Sequence, residues 1–280
     1  MTPVLRYAAF AATPDGGNPA GIVLDAAGLA DEEMQRIAAE VGYAETAFVV
    51  ERAIGGDARR SRVRYFSPIA EVPFCGHATV ATAVALAERD GAGVVDFDTA
   101  VGPISITTRA TDDGIVAAFT SVEPEVGPID DAVLDDLLGL LGATRADLHP
   151  DYPPRIAFAG NRHPVVVFAE RERFDSFGFD PVAMRSLMDA QGWPGTVTTL
   201  RVIGAEEFEA RNLFPVGVIT EDPATGSAAA SVGGYLRSIG RAPGHVVIHQ
   251  GAHVGRPSLL TVDIPAAGGI VVTGTAVPIA

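Results

Sequence analysis

Two segments of this chain, EVPFCGHA at Glu71 to Ala78 and EDPATGSA at Glu221 to Ala228, share the pattern Glu-x-Pro-x-x-Gly-[His/Ser]-Ala. Each runs into an Ala-rich apolar stretch, TVATAVALAERDG or AASVGGYLRSIG, so each should sit where a strand or loop enters a buried helix. A helix N-terminus offers unpaired N–H groups and a partial positive charge. Gly76-His77 and Gly226-Ser227 could therefore hold a carboxylate between them, and glycine lets the ligand approach the backbone. His77 is a candidate donor or proton relay, with its cationic form disfavoured by the helix start. Asp222 could orient a substrate amine or hydroxyl, or could be an Asx turn feeding the helix. Ser227 and Thr225 could touch the ligand or cap the helix, and the two roles are compatible.

Glu45, in GYAETAFVV, follows a helix that ends near Gly42 and begins a hydrophobic strand. A carboxylate has no obvious structural use there, and desolvation would raise its pKa toward that of a general base. The alternative is a surface glutamate at a strand edge. Cys75 separates two mechanisms. A cysteine-dependent racemase needs a thiol on each face of one carbon, yet the repeat sets Thr225 opposite Cys75. A hydroxyl is far too weakly acidic to replace a thiol, so the pattern points away from two-thiol racemisation. Cys75 is otherwise a small core residue beside a buried helix, or a thiol whose pKa the helix start lowers.

The rest of the chain limits the possibilities. One cysteine excludes an intramolecular disulfide and a multi-thiol metal site, and suits a reducing cytoplasm. His149, His163, His245, His249 and His253 lack metal-ligand spacing, so no metal is expected. The net charge of −15 argues against nucleic acid as a partner. The short run Arg59, Arg60, Arg62, Arg64 reads as a solvated strand face rather than an anion site. VLRYAAFAA reads as a first strand and not a signal peptide, and no apolar run suits a membrane span.

The elements that position these residues alternate strand and helix signals. Strands are expected at Val4 to Phe10, Gly21 to Leu24, Thr46 to Val50, Arg62 to Phe66, Ile104 to Thr108 and Ile115 to Phe119. The second half offers Arg155 to Ala159, Val165 to Phe168, Thr198 to Ile203, Val246 to Gln250, Leu259 to Asp263 and Ile270 to Thr273. Amphipathic helices are expected at Asp31 to Val41, Asp130 to Leu141 and Pro181 to Gln191. The central helices would be Thr79 to Arg89 and Ala228 to Ile239, with Gly233 and Gly234 implying close packing. A second echo, GNPAGIVLDA at Gly17 against GNRHPVVVFAE at Gly160, precedes the signature in both halves. The fold class is therefore α+β: two duplicated units, residues 1–121 and 122–266, each a mostly antiparallel sheet curled around one helix. Val122 to Pro128 would link them, and a site between the halves follows from the duplication.

DGGNPAGIVL, GYAETAFVV, RYFSPIAEVPFCGHATVATA, NLFPVGVITEDPATGSAAA and QGAHVGRPS together resemble the PhzF family of phenazine-biosynthesis-like proteins across nearly the whole chain. The resemblance implies a diaminopimelate epimerase-like fold of two pseudo-symmetric domains, with a last strand within 267–280 returning to the first domain. It implies a cofactor-free isomerase, usually dimeric, that moves a proton on a small carboxylate. Glu45 would be the acid/base, with His77 and Asp222 assisting. Gly76 and Ser227 would contact substrate, and by their place in the signature Cys75, Thr225 and Gly226 join the binding set. An amino-acid racemase or epimerase of the same fold, and a non-catalytic binding protein that keeps the cleft, are the alternatives.

Overall fold

The computed structural model describes residues 2–216, 219–241 and 244–280. The chain divides into two compact units, Met1–Thr120 with Thr273–Ala280, and Ser121–Val272. Both mix strands with helices, and among the described residues no helix is long and apolar enough to cross a membrane.

The first unit runs β1 (Leu5–Ala9), β2 (Asn18–Val23), α1 (Asp31–Val41), β3 (Glu45–Arg52), β4 (Arg60–Phe66), β5 (Glu71–Val72), α2 (Gly76–Asp90), β6 (Val94–Thr99), β7 (Gly102–Thr111) and β8 (Gly114–Thr120). Successive strands pair antiparallel, except that β2–β3 and β4–β6 are parallel across the helical crossovers α1 and α2. Helix α1 opens with Asp31, Glu32 and Glu33, whose charges suit the positive end of the helix. It buries Met34, Ile37 and Ala38 against Phe48 and Phe66, and stops at Gly42 in the left-handed conformation (φ 71°). That stop releases the chain into β3 with Glu45 as its first residue. Helix α2 is buried from His77 to Ala87 and packs on β1, β2, β3, β7 and β8. Its Ala, Thr and Val residues keep it slim enough for strands to surround it.

The second unit runs β9 (Glu125–Pro128), α3 (Asp131–Leu140), β10 (Arg155–Phe158), β11 (Arg162–Phe168), α4 (Arg171–Ser176), α5 (Pro181–Gln191), β12 (Val197–Gly204), β13 (Glu207–Val216), β14 (Ile219–Asp222), α6 (Gly226–Ser238), β15 (His245–Gln250) and β16 (Ser258–Asp263). The succession of pairings repeats that of the first unit, with parallel pairs β11–β12 and β13–β15 and antiparallel pairs elsewhere. Helix α6 packs on β9, β10, β11 and β16. A Cβ on Gly233 would lie 2.7 Å from Ile270 Cγ2, and one on Gly234 would lie 2.4 Å from Pro124 Cβ. The two glycines thus allow a backbone approach that alanine would prevent. A final strand, β17 (Val271–Pro278), pairs antiparallel with β1 through Tyr7↔Pro278 and Ala9↔Ala276.

Several elements differ from the sequence reading. Val122 to Pro128 is not a free linker, because Glu125–Pro128 pairs with Arg155–Phe158. The central helices begin at Gly76 and Gly226, ahead of Thr79 and Ala228, so the Gly-[His/Ser]-Ala end of each signature forms the first helical turn while its glutamate lies in the preceding strand. Strands β6 and β13 carry no clear sequence signal because charges interrupt their apolar pattern; in β13 those charges are paired, Glu209 with Arg201 and Arg211 with Glu221. The last strand continues to Pro278, past the Thr273 suggested by its apolar pattern and within the 267–280 that the family resemblance implied. The arginine run behaves as a solvated face: Arg60, Arg62 and Arg64 each pair with an acid, Asp98, Glu51, and Asp31 with Glu71.

Candidate functional site

The repeated glutamate of the signature is a staple. In the first unit Arg64 on β4 grips Glu71 with two bonds of 2.7 Å, holding β5 to its neighbour. In the second, Arg211 on β13 does the same to Glu221, with Nε to Oε2 at 3.2 Å and Nη2 to Oε1 at 2.5 Å. The proline then breaks the strand, and Cys75 or Thr225, in extended backbone geometry, occupies the N-cap. The carbonyl of Cys75 accepts from Thr79 N at 3.0 Å, and that of Thr225 from Ala229 N at 3.0 Å.

This geometry gathers three reactive side chains in the first unit. The Cys75 thiol lies 3.3 Å from Glu45 Oε2 and 3.3 Å from His77 Nδ1, while His77 Nε2 lies 3.5 Å from Glu45 Oε2. His77 is buried (7% exposed), whereas Glu45 keeps 21% of its side-chain surface open to solvent. Glu45 reaches the cluster because β3 runs parallel beside β2 with Ala20 at its own level. Beneath it, Thr79 Oγ1 donates to the Cys75 carbonyl at 2.7 Å and meets Tyr65 Oη at 2.6 Å. Burial raises the Tyr65 phenol far above its ordinary range, so it stays protonated as a fixed donor. A Cβ on Gly76 would meet only the Phe74 ring, at 4.0 Å. Gly76 is therefore not required by packing, and its bare backbone remains approachable.

In the second unit Thr225 Oγ1 donates to the Asp222 carboxylate. The Gln250 side chain locks the same turn, accepting from Thr225 N at 3.2 Å and donating to the Asp222 carbonyl at 2.7 Å. Gly226 is the first residue of α6 and Ser227 the second, so Ser227 is not the cap. Its hydroxyl lies 3.1 Å from His163 Nε2. His163 is fully enclosed on β11, and its Nδ1 meets both the N–H and the carbonyl oxygen of Thr196 at 3.0 Å. Thr196 and Thr198 hydroxyls donate to Asn212 Oδ1 at 2.9 and 2.7 Å. When Nδ1 accepts the Thr196 N–H, Nε2 carries the proton to Ser227 Oγ, and the serine proton is left for a ligand. A Cβ on Gly195 would lie 2.5 Å from the His163 ring, so glycine there makes room for the imidazole.

In the sequence His163 is one of five histidines without metal-ligand spacing, and nothing local marks it out. The signal that could have found it is the repeat. The Gly17-Asn18 and Gly160-Asn161 echo sets His163 against Ala20, and the parallel registers set Thr196 against Glu45. Glu45 thus has no acidic counterpart in the second unit. A surface groove of about 540 Å³ beside α1, lined by Arg6, Glu33, Arg36 and Glu40 among others, contains none of the candidate residues.

Desolvation by burial pushes the His163 imidazole down to about 4, against a smaller opposing effect of its Thr196 backbone hydrogen bond. The unfolded chain binds this proton below about 6.5. The folded chain binds it only below about 4. Stability therefore falls as pH falls through that window, by about 3 kcal/mol in total from this residue. His163→Gln removes the titration, so urea denaturation at about pH 7 and about pH 4.5 should show a smaller acid loss than in the parent. Parallel losses in the two proteins would remove His163 as the source.

The family model for phenazine biosynthesis-like proteins matches residues 7–280. An uncharacterized isomerase of Bacillus subtilis, YfhB, is 31% identical over 98% of this chain and 95% of its own length. The trans-2,3-dihydro-3-hydroxyanthranilate isomerase of Pseudomonas fluorescens is 30% identical over 90% of this chain and 86% of its own. Among solved structures, a PhzF-family protein of Bacillus anthracis superimposes with a TM-score of 0.84 at 26% identity, covering 99% of this chain and 96% of the other.

Proposed function

The chain belongs to the phenazine biosynthesis-like (PhzF) family and is an isomerase, and from that premise we propose that it shifts a proton on a small carboxylate substrate with Glu45 as the acid/base. The observation that carries the reading is the convergence of Glu45, Cys75 and His77 at the start of a buried helix. In the proposed reaction, Glu45 takes a proton from a carbon made acidic by adjacent unsaturation and returns it at another carbon of the conjugated system. Bond electrons shift within the substrate, no electron leaves it, and the chemistry calls for no cofactor. His77 and the Cys75 thiol hold the carboxylate that does this work. Gly76 in the first unit, and Gly226 and Ser227 in the second, are the proposed substrate-binding residues, since each helix start offers N–H groups to a carboxylate. Asp222 would hold its amino or hydroxyl group, and Thr225 would keep Asp222 in place.

The repeated order of strand pairings supports reading the two units as pseudo-symmetric, diaminopimelate epimerase-like domains descended from one ancestor. Thr225, bonded to Asp222, stands in the second signature where Cys75 stands in the first, which favours a single-base proton shift over two-thiol racemisation. A homodimer is the proposed assembly, and a monomer mass in sedimentation equilibrium would exclude it. The deciding experiment incubates the protein in D₂O with cyclic amino acids and with enol and diene carboxylates, trans-2,3-dihydro-3-hydroxyanthranilate first, and follows carbon-bound hydrogen by NMR. Exchange or isomerisation of one of these compounds is the expected result. Tight binding of a compound without any exchange would favour a binding protein instead.

A further inference from the structure

The three side chains at the start of α2 form more than an acid/base cluster. A carboxylate, a thiol and an imidazole each present one ligand atom, all within 4.8 Å of one another. The edges of the triangle are 3.3 Å (Sγ to Oε2), 3.7 Å (Sγ to Nε2) and 3.5 Å (Nε2 to Oε2). A tetrahedral zinc ion with bonds of about 2.3 Å to sulfur and about 2.0 Å to nitrogen and oxygen requires edges of about 3.3–3.6 Å. The triangle thus comes within about 0.2 Å of one face of a zinc tetrahedron, and a turn of the His77 ring, whose Nδ1 is the nitrogen nearer Sγ at 3.3 Å, would aim a lone pair at the ion. We propose that Glu45, Cys75 and His77 bind Zn²⁺ as three ligands, leaving the fourth position for water or a substrate oxygen.

Charge supports the assignment. One thiolate and one carboxylate balance the two positive charges of the ion, so the loaded site is neutral and the positive end of α2 does not oppose it. Binding is a substitution without redox change: the Cys75 thiol gives its proton to solvent and its sulfur to the metal. Glu45 is the open edge of the cluster and offers the entry path. The ligand set of sulfur, nitrogen and one carboxylate oxygen suits zinc and cobalt and disfavours magnesium or calcium. The exposed pairs His245 with Asp263 and His249 with Glu207 offer only two donors each and no thiol. Once the metal occupies Glu45 Oε2, that carboxylate cannot accept a substrate proton, so zinc is expected to inhibit. This consequence rests on the role proposed for Glu45, whereas the binding itself does not.

Titration of the whole protein with Co²⁺ tests the site directly. The expected result is a thiolate-to-cobalt charge-transfer absorption that saturates at one equivalent, disappears on adding Zn²⁺, and is absent from Cys75→Ser. Zinc affinity in Cys75→Ser should fall at least about tenfold. Absence of the charge-transfer band in the parent protein overturns the proposal whether or not the variant folds. Undiminished zinc affinity in a folded Cys75→Ser protein also overturns it, placing the ion on the surface histidine pairs. Inhibition by Zn²⁺ that EDTA reverses is the expected second readout. Metal bound at Cys75 with full turnover would leave the site standing and remove Glu45 as the base.

Discussion

Glu45→Gln should lower turnover by about 10²–10⁴-fold, the range that one positioned acid/base contributes, while the protein remains folded. The substitution keeps size and hydrogen-bonding capacity, since the amide oxygen can still accept from the Cys75 thiol 3.3 Å away. It removes only the ability to take and return a proton. Glu45 is the first residue of β3, is partly open to solvent, and faces only Cys75 and His77 in the cluster, so the sheet loses little. Substrate binding should change far less than turnover, because the helix-start N–H groups assigned to the carboxylate are untouched. Solvent exchange into substrate and net isomerisation should fall together. A variant that turns over at nearly the parent rate would exclude Glu45 as the proton carrier.

Arg211→Ala should destabilise the protein by about 3–5 kcal/mol, the cost of leaving one member of a buried ion pair uncompensated. Arg211 is 7% exposed and Glu221 10% exposed. The guanidinium also lies over the Phe177 ring, 3.6 Å from its centroid, and donates to the carbonyls of Phe174 and Phe177 at 2.9 and 3.1 Å. Truncation strands a carboxylate and two carbonyls together. Arg64 in the other copy of the signature is the internal control. It grips Glu71 with comparable geometry, but the two side chains are 27% and 41% exposed, so Arg64→Ala should cost no more than about 1 kcal/mol through that pair. Urea denaturation of both variants measures the difference. Equal losses would show that burial of the Arg211 pair has no special weight. Because Glu221 immediately precedes Asp222, a large loss at Arg211 should also disturb the turn that holds Asp222 and Thr225.

The contrast between these two arginines illustrates how far the sequence could be read. The signature, its duplication, the helices α1, α3 and α5, and Glu45 at the head of a strand were all legible, because periodicity and capping signals are local. The role of the signature glutamates was not. Arg64 and Arg211 lie seven and ten residues upstream of their partners, at a separation no local rule favours. His163 carries no local signal for the same reason: Ser227 is 64 residues away in the chain, and packing of α6 on β11 brings the two side chains together. Cys75 could be read as core or as thiol, and its distance to Glu45, 30 residues upstream, decided that it stands among the reactive groups.

The order of many elements, the paired helix starts and the place of Glu45 at the head of a strand were thus determined by short-range patterns of apolar, glycine and proline residues, each of which restricts the backbone on its own. The company each reactive group keeps was decided by tertiary structure. Parallel strand register set Glu45 beside Ala20 and Thr196 beside His163, and packing of the central helices on those strands brought Cys75 and His77 to the one and Ser227 to the other. Register is set by the burial of whole sheet faces, a property no single stretch of sequence contains.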